Sequence, residues 1–495
     1  GDFRLSPQGN YILWYDLKAK NWFAYHNATG KEINLTKEIP VGFYDEENDV
    51  PDDPSSYGVM RWAENDAFVY LYDRFDVWQI DPKGILPAKN ITQIGRKTKT
   101  TFRYIQLDKE ERFLKPNQMV FFQSFNDTNK YAGLYVKKLS DAKPPRKIIE
   151  GAFAWNPEQP ILKSKNTETY VFQKGDTQNS YDLYQTSDFK SEKKLTNINP
   201  QQKEYNWLTA ELVKWKMFDG KPSEGTLYKP ENFDPSKKYP LILYFYEKNT
   251  DRLYWYNAPA PSASTVNIAF FTSRGYLVFD PNIHYSTGNP GKDAYNAVVS
   301  AAEMLAKNPW VDKANMAIQG QSWGGYQVAY LVTQTNLFKC AMAGAPVANM
   351  TSAYGGIRWE TGMSRQFQYE HTQSRIGGTL WEKRQNYLDN SPVFQADKIQ
   401  TPLLIMHNDA DGAVPWYQGI EMFTAMRRLS KPVWLLQYNN EAHNLVERRN
   451  RKDLSVRMQQ FFDYYLKGDK MPVWMEKGVP ATQKGKDYGL GMSGK

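Results

Sequence analysis

The sequence predicts a partial β-propeller of about four blades, followed by a doubly wound, mostly parallel α/β sheet. Two observations predict this division. Residues 1–210 consist of short aromatic and β-branched runs that alternate with turn residues, as antiparallel strands do. After Trp215, nearly continuous apolar runs alternate with helical stretches, which is typical of strands buried on both faces of a parallel sheet. We therefore expect domains at 1–210 and 211–470 and a surface tail at 471–495.

A loose repeat of about 50 residues runs through the first part, as in propeller blades. Each repeat has two strands and a short third piece, and the third pieces centre on Leu35, Ile91, Ile148 and Leu195. A β-sandwich with accidental spacing is the alternative. The Asn-x-Thr triplets at Asn34 and Asn90 are predicted to close blades. Four blades are few, and the chain opens within a blade pattern. We therefore expect further blades upstream, cleaved away or carried on a separate fragment.

The second part alternates strands and helices in the order of a doubly wound sheet. Apolar runs predict strands at 241–245, 277–279, 316–318, 403–406 and 433–437. Helical periodicity predicts helices at 294–307, 326–334, 417–429 and 454–466. The basic run that begins at Arg448 opens the last of these helices and is interpreted as a solvated face.

Composition excludes several classes of function. The chain has 62 Lys and Arg against 54 Asp and Glu, spread along its length, so charge gives no support for nucleic-acid binding. A lone cysteine, Cys340, excludes an intramolecular disulfide and a cysteine zinc site, and its apolar surroundings predict a buried thiol. Scattered histidines predict no metal site, and without a phosphate loop or dinucleotide fingerprint we expect no cofactor. No apolar run reaches the ~18 residues of a transmembrane segment.

The strongest motif is the hexapeptide from Gly320 to Gly325, which follows a predicted strand and opens a predicted helix. A Gly-x-Ser-x-Gly at such a turn is the nucleophile elbow of α/β-hydrolases. The sharp turn would hold Ser322 in a strained conformation with its hydroxyl at the edge of the sheet. The second part is therefore predicted to be an α/β-hydrolase domain.

A serine nucleophile needs a base, and in this fold the acid and the histidine follow the serine on later loops. Asp411 follows the strand at 403–406, and His443 follows the strand at 433–437. Ser322, Asp411 and His443 are thus the predicted triad. Asp409 is the rival acid, although Asp411 precedes a Val-Pro pair, and His407 is expected to hold the acid loop by a hydrogen bond.

An oxyanion formed on the substrate needs two hydrogen-bond donors. One is predicted to be the backbone N–H of Trp323, the residue after the nucleophile. The other is expected on the loop after the strand at 241–245, where the Tyr246 hydroxyl is the candidate. A purely structural tyrosine is the alternative at that position.

These motifs together resemble the prolyl oligopeptidase family of serine peptidases, in particular the dipeptidyl peptidase IV-like enzymes of Bacteroidetes. The resemblance rests on the stretches 239–243, 320–326, 345–347, 411–415 and 441–443. It implies the same triad, the Tyr246 oxyanion hydroxyl and a cavity that admits only short peptides. It also implies a hydrophobic subsite near Tyr326, Val347 and Val414.

Two departures from the family pattern bear on specificity. Glu247, Lys248 and Asn249 stand after Tyr246, where the family has small residues and proline. Residues 348–352 replace the aromatic residues that usually grip proline, so a preference for cleavage after proline is not implied.

The acidic loop at 45–49 contains Glu46 and Glu47. In dipeptidyl peptidases paired propeller glutamates bind the free amino terminus of the substrate, and a solvated turn is the alternative reading. Arg358 and Arg365 are further candidate charges near the pocket, or ordinary surface residues.

The functional hypothesis is a serine peptidase that cleaves short peptides through an acyl-enzyme, either a dipeptidyl- or an oligopeptidase. A carboxylesterase of the same fold is the main alternative, and a binding module from a decayed enzyme is the third. Relatives imply an exported, periplasmic protein and a homodimer, and the start at Gly1 agrees with processing; a cytoplasmic location stays open.

Overall fold

The structure, a computed structural model, describes residues 3–494, which form two compact units. The first comprises the residues up to Asn48, Asp52–Pro200 and Tyr254–Tyr256. The second comprises Asp49–Pro51, Gln201–Leu253 and the residues from Asn257 onward. None of the helices between residues 3 and 494 has both the length and the apolar character needed to cross a bilayer.

The first unit contains four antiparallel sheets, each built from strands that are consecutive in the chain. This local pairing differs from the Greek-key exchange of strands in a sandwich and confirms the predicted series of small antiparallel sheets. Their strands are β1 (Arg4–Leu5), β2 (Tyr11–Asp16), β3 (Asn21–His26) and β4 (Lys31–Asn34); β5 (Val59–Trp62), β6 (Val69–Tyr72), β7 (Val77–Ile80) and β8 (Lys89–Asn90); β9 (Thr100–Ile105), β10 (Met119–Asn126), β11 (Ala132–Lys138) and β12 (Arg146–Gly151); and β13 (Ala154–Trp155), β14 (Leu162–Lys163), β15 (Tyr170–Gly175), β16 (Asp182–Thr186) and β17 (Lys193–Lys194).

The same threonine hydrogen bond occurs just after the last strand of three of these sheets. Thr36, Thr92 and Thr196 each accept a backbone N–H from a residue at or next to the start of the second-last strand of the sheet. These residues are Trp22, Val77 and Leu183, at 2.9–3.0 Å. Each hydroxyl also donates to a side chain just before or at the start of that strand: Asn21, Asp76 or Asp182. The first two threonines belong to the Asn-x-Thr triplets, whose role in closing blades stays a prediction.

The second unit is organised around an eight-stranded sheet with the order β18-β19-β21-β20-β22-β23-β26-β27. Strands β20 to β23, β26 and β27 pair in parallel, while β18 and β19 add an antiparallel edge. The strands are β18 (Leu208–Lys216), β19 (Pro222–Pro230), β20 (Tyr239–Tyr244), β21 (Leu277–Pro281), β22 (Val311–Gln321), β23 (Cys340–Gly344), β26 (Leu403–Met406) and β27 (Val433–Leu436), with β24 (Ile357–Arg358) and β25 (Met363–Ser364) forming a separate hairpin.

The central strands are buried on both faces, as their apolar runs predict. Leu241, Leu277, Ile318 and Leu403 have no exposed side-chain surface and belong to one core. Cys340 lies inside this sheet, and burial raises the pKa of its thiol well above the ordinary value. The lone cysteine is therefore a buried thiol, as predicted.

Helices connect the strands. They are α1 (Gly95–Thr98), α2 (Ile268–Ser273), α3 (Pro290–Leu305), α4 (Trp323–Gln334), α5 (Met350–Tyr354), α6 (Gln366–Glu370), α7 (Arg384–Asp389), α8 (Tyr417–Arg428), α9 (Arg448–Lys467) and α10 (Val473–Glu476). Short 3₁₀ turns occupy Glu64–Asp66, Pro200–Glu204, Thr250–Arg252, Pro392–Lys398 and Ala481–Gln483. The segment after residue 470 packs against α9, where Trp474 is buried and donates to Gln460 Oε1 at 2.8 Å.

Candidate active site

Ser322 stands between β22 and α4 in a backbone conformation that non-glycine residues rarely adopt. Its φ is 62° and its ψ is −114°. Such a conformation costs about 1–3 kcal/mol and persists only where the surroundings impose it. Here the Ser322 N–H donates to Gly344 O at 2.8 Å, and its carbonyl accepts from Tyr326 N at 3.0 Å as α4 begins.

The glycines of the motif are required by close backbone approaches. A Cβ on Gly320 would lie 2.5 Å from the carbonyl of Gly324, and a Cβ on Gly324 would lie 2.6 Å from Phe245 O. A Cβ on Gly325 would overlap the carbonyl oxygen of Gly344. The strand, the helix and the neighbouring strand ends can therefore converge on Ser322 only if these positions lack side chains.

Asp411 and His443 meet at the carboxyl ends of β26 and β27. The Asp411 Oδ2 atom lies 2.7 Å from His443 Nδ1, so Nδ1 carries a proton and Nε2 is the basic nitrogen. The N–H groups of Ala413 and Val414 both donate to Asp411 Oδ1 at 2.8 Å. Burial opposes ionisation of Asp411, but hydrogen bonds from His407 and His443 outweigh it and hold its pKa well below the ordinary value.

The rival acid, Asp409, is occupied elsewhere. Its carboxylate accepts from Asn440 N at 2.7 Å and from Gln437 Nε2 at 3.2 Å, so it organises the loop that carries His443. Two amide side chains hold the same loop from beneath: Gln321 donates to His443 O and Asn408 to Ala442 O. Of the two acids, Asp411 is the one that contacts His443.

Two buried side chains, those of His407 and Arg365, hold the acid loop in place. His407 is fully buried, and its Nε2 lies 3.3 Å from Asp411 Oδ2 and 3.2 Å from Val414 O. Arg365, which we expected near the pocket or on the surface, is also fully buried and donates to Ala413 O. The loop that presents Asp411 is therefore held through its backbone from two sides.

The two predicted oxyanion donors lie beside the elbow. Trp323 is the first residue of α4, and a Cβ placed on Gly324 would lie 3.6 Å from the ring of Tyr246. Gln327 donates to Tyr246 O at 2.8 Å, and Gln373 Nε2 donates to the Tyr246 hydroxyl at 2.9 Å.

Tyr285 connects the two predicted oxyanion residues. Its hydroxyl accepts from Trp323 Nε1 at 3.1 Å and donates to Tyr246 O at 3.4 Å. Burial raises the pKa of Tyr285 well above its ordinary value, and the charge of Glu247 adds to this, so the hydroxyl stays protonated. The positions of the Trp323 indole and the Tyr246 backbone are thus coupled.

The residues predicted for the hydrophobic subsite are almost completely buried. Tyr326, Val347 and Val414 are exposed by 0%, 2% and 3%. The Tyr326 ring stacks on Trp323 with centroids 4.5 Å apart, and its hydroxyl donates to Asn390 Oδ1 at 3.2 Å. The three side chains therefore have almost no surface accessible to solvent.

Glu46 and Glu47 lie in the first unit, each paired with an arginine of that unit. Arg96 donates to both oxygens of Glu46, at 2.8 and 3.2 Å, and Arg74 donates to Glu47 at 2.6 Å. The arginines hold the two carboxylates in defined orientations. Among residues 3–494 no cluster of three or more His, Cys, Asp or Glu side chains is arranged to bind a metal ion.

Sequence reasoning missed Gln373, Arg375 and Tyr285. They lie far in sequence from the elbow, on segments without a motif. The only signal that could have pointed to them is Glu247, which departs from the family pattern. A cationic partner for that glutamate could have been sought, but sequence alone does not identify which arginine supplies it.

Comparison with known proteins shows which family part of the second unit resembles. Residues 261–469 match the Prolyl oligopeptidase family. An uncharacterized peptidase, YuxL, of Bacillus subtilis is 25% identical over 294 residues, which cover 58% of this chain and 44% of that protein. Dipeptidyl-peptidase 5 of Porphyromonas endodontalis is 27% identical over 297 residues, which cover 55% of this chain and 37% of that protein. The chain thus spans less than half the length of these relatives.

The fold is also found in solved structures. A puromycin-hydrolyzing peptidase of Mycobacterium tuberculosis superposes with a TM-score of 0.67 over 94% of this chain and 70% of that one, at 15% identity. The family match includes the segment that carries Ser322, Asp411 and His443. Residues 261–469 of the chain are therefore similar to the prolyl oligopeptidase family.

Proposed function

We propose that the protein is a serine peptidase that hydrolyses short peptides through an acyl-enzyme intermediate. The observation that carries the proposal is the conjunction of a strained Ser322 elbow with the buried 2.7 Å contact between Asp411 and His443. Such a pair orients a neutral imidazole to take a proton from a serine and stabilises the imidazolium that forms.

The roles of the residues follow from their protonation states. His443 Nε2 takes the Ser322 proton as the hydroxyl attacks the carbonyl, and then passes it to the leaving group. Asp411, ionised at neutral pH because its pKa is depressed, stabilises the imidazolium. The Trp323 N–H and the Tyr246 O–H stabilise the oxyanion.

The names of the relatives support peptides as substrates. Dipeptidyl-peptidase 5 and a puromycin-hydrolyzing peptidase both cleave amide bonds, according to their names. Because the chain spans only part of these proteins, the choice between dipeptidyl- and oligopeptidase action is part of the proposal. An exported location, a homodimer, a propeller of four blades in this chain and further blades on a separate fragment stay predictions.

Tyr326, Val347 and Val414 are proposed to form the subsite for the residue before the scissile bond, and Glu46 and Glu47 to bind a free amino terminus. Their pairing with arginines supports the second role, since it orients carboxylate oxygens for charge-assisted hydrogen bonds.

The test is cleavage of a mixed short-peptide library with free and acetylated amino termini, by wild type and by Ser322→Ala. Dipeptides released only from free termini, and only by wild type, would establish a dipeptidyl peptidase. Cleavage of acetylated peptides as well would establish an oligopeptidase, and hydrolysis of matched esters alone would identify a carboxylesterase. Failure of a fluorophosphonate probe to label wild-type Ser322 would refute the proposal.

The amino-terminus site has its own test. Glu46→Gln should raise KM for free-terminus peptides about 10-fold and leave acetylated peptides unaffected. Glu32→Gln, an exposed glutamate of the same unit, is the matched control. Equal KM values for the two variants would exclude Glu46 from substrate binding.

A further inference from the structure

Gln373 contacts the hydroxyl that is assigned to the oxyanion hole. Its Nε2 atom lies 2.9 Å from the Tyr246 hydroxyl and 3.2 Å from Glu247 Oε1. Its own oxygen lies 3.2 Å from Gln368 Nε2. One amide group thus touches a phenol, a carboxylate and a second amide.

The chemistry of these partners determines which way each hydrogen bond runs. An ionised carboxylate only accepts hydrogen bonds, so the atom of Gln373 that faces Glu247 must be the NH₂ group. The same NH₂ faces Tyr246, and an amide nitrogen only donates, so the Tyr246 oxygen must accept. The phenol has a single proton, and that proton then remains free to donate to another acceptor.

Glu247 is itself held in place by Arg375, whose side chain is 3% exposed. The guanidinium lies 3.3 Å from Glu247 Oε2 and 2.6 Å from Asp49 Oδ1, and it donates to Gln373 O at 2.7 Å. It also lies over the Tyr285 ring, 4.0 Å from the centroid. A buried charge with several fixed partners keeps the Glu247 carboxylate in one position.

We propose that Gln373, oriented by Glu247, is a positioning residue that turns the Tyr246 O–H toward the oxyanion. The proposal rests on the proposed function, because it assigns the Tyr246 hydroxyl as an oxyanion donor. The proposal also explains why a glutamate follows Tyr246 in this chain. A small or apolar residue at position 247 would leave both orientations of the Gln373 amide available.

The orientation of the Tyr246 hydroxyl affects the energy of the transition state rather than that of the bound substrate. The substrate carbonyl acquires its negative charge only as Ser322 attacks, so a misdirected phenol lowers kcat and leaves KM nearly unchanged. A merely structural role would instead lower stability and change both kinetic parameters or neither.

The experiment is a double-mutant cycle between Gln373→Met and Tyr246→Phe. The readouts are kcat and KM for a p-nitrophenyl ester and the labelling rate of Ser322 by a fluorophosphonate, whose adduct also places an oxygen in the oxyanion hole. Tyr246→Phe should lower kcat about 10²–10³-fold, as expected for loss of one oxyanion donor. Gln373→Met should lower kcat about 10-fold in the wild type and less than about 2-fold beside Tyr246→Phe.

Two further variants complete the design. Glu247→Gln should lower kcat about 3–10-fold, because a neutral amide can accept or donate and no longer orients Gln373. Gln385→Met, at an exposed glutamine of the same unit, is the matched control and should leave both rates unchanged. Thermal unfolding of each variant reports whether the fold is retained.

The outcomes separate this inference from the proposed function. If Gln373→Met lowers the rates equally in both backgrounds, or not at all while Tyr246→Phe lowers them, the positioning role is refuted and the peptidase proposal stands. If wild type is neither labelled nor active, the proposed function fails and the inference falls with it. Loss of the Gln373 effect only in the Tyr246→Phe background supports the inference.

Discussion

Replacement of Asp411 by asparagine is the sharpest test of the catalytic assignment. The carboxylate receives four N–H groups: those of Ala413 and Val414 on Oδ1, and the imidazoles of His443 and His407 on Oδ2. All four require an acceptor. An asparagine has nearly the same shape but only one accepting oxygen, so the change alters proton placement while it preserves packing.

The magnitude follows from where the new NH₂ group must point. If the amide oxygen keeps the two backbone N–H groups, the NH₂ faces His443 Nδ1, which must then accept. The imidazole proton moves to Nε2, and His443 can no longer accept the Ser322 proton. In Ser-His-Asp triads this reversal of the tautomer lowers kcat about 10⁴-fold. The NH₂ also opposes His407, so we expect stability to fall by about 1.5–3 kcal/mol, the contribution of a hydrogen bond to a charged group.

The assay compares kcat for a p-nitrophenyl ester and thermal unfolding for wild type, Asp411→Asn and Asp409→Asn. The last variant is the matched control, since Asp409 lies in the same loop but bonds to Asn440. We expect it to keep at least about a third of the wild-type kcat, because its contacts are on the outer side of the loop.

The pH dependence has a definite sign. The pKa of Asp411 is depressed in the folded protein, so its charge contributes stability above the unfolded pKa of about 3.9, and that contribution is lost as pH falls through the lower folded value. Acid inactivation of the wild type above pH 5 is therefore not caused by protonation of this carboxyl. The reasoning is refuted if Asp411→Asn retains more than a tenth of kcat, or if Asp409→Asn loses as much.

Three further changes test the surrounding structure. Gly325→Ala should lower stability by at least about 1–3 kcal/mol in thermal unfolding, because its methyl group meets the Gly344 carbonyl. His407→Ala should lower kcat about 10-fold through a less ordered Asp411, and His407→Gln should restore part of it in the same ester assay. Burial raises the pKa of Asp280 to about 7, so the folded state holds this proton more tightly than the unfolded chain and stability falls as pH rises from about 4 to 7. Urea unfolding at pH 8 should show Asp280→Asn to be more stable than wild type by up to about 4 kcal/mol.

Each of these predictions has a contradicting result. An unchanged unfolding temperature for Gly325→Ala would mean that the strands beside the elbow move apart without cost. Equal kcat for His407→Ala and wild type would remove His407 from the support of the triad. If the difference in stability between Asp280→Asn and wild type is the same at pH 8 as at pH 4, the carboxyl is not held protonated.

Much of the site could be predicted because its signals are local. The hexapeptide around Ser322 can be recognised from sequence because a strand and a helix can meet at so sharp a turn only if glycines flank the serine. The basic run at Arg448 marks the first residue of α9, as the helical pattern indicates. Asp411 and His443 could be chosen because parallel strands place their carboxyl ends at one edge of the sheet.

Other residues could not be predicted, because their partners are distant in the chain. Arg365 looks like a surface residue in sequence and is fully buried in the structure, where its guanidinium binds the acid loop. Gln373 is separated from Tyr246 by 127 residues and has no motif around it. The sequence around a polar side chain does not show whether its hydrogen-bond partner will be water or a buried carboxylate.

The sequence by itself determined the succession of small antiparallel sheets and of an alternating α/β sheet, and it predicted the position of the nucleophile and the chain order of the triad. These features depend on periodicity, on short-range steric limits and on the geometry of a parallel sheet. Each of them can be recognised from a short stretch of sequence. Tertiary structure alone decided that Arg375 holds Glu247, that Arg365 is buried against the acid loop, and that Gln373 contacts the Tyr246 hydroxyl. Those outcomes depend on hydrogen-bond directions among groups brought together from distant segments, and direction appears only when donors and acceptors have positions in space.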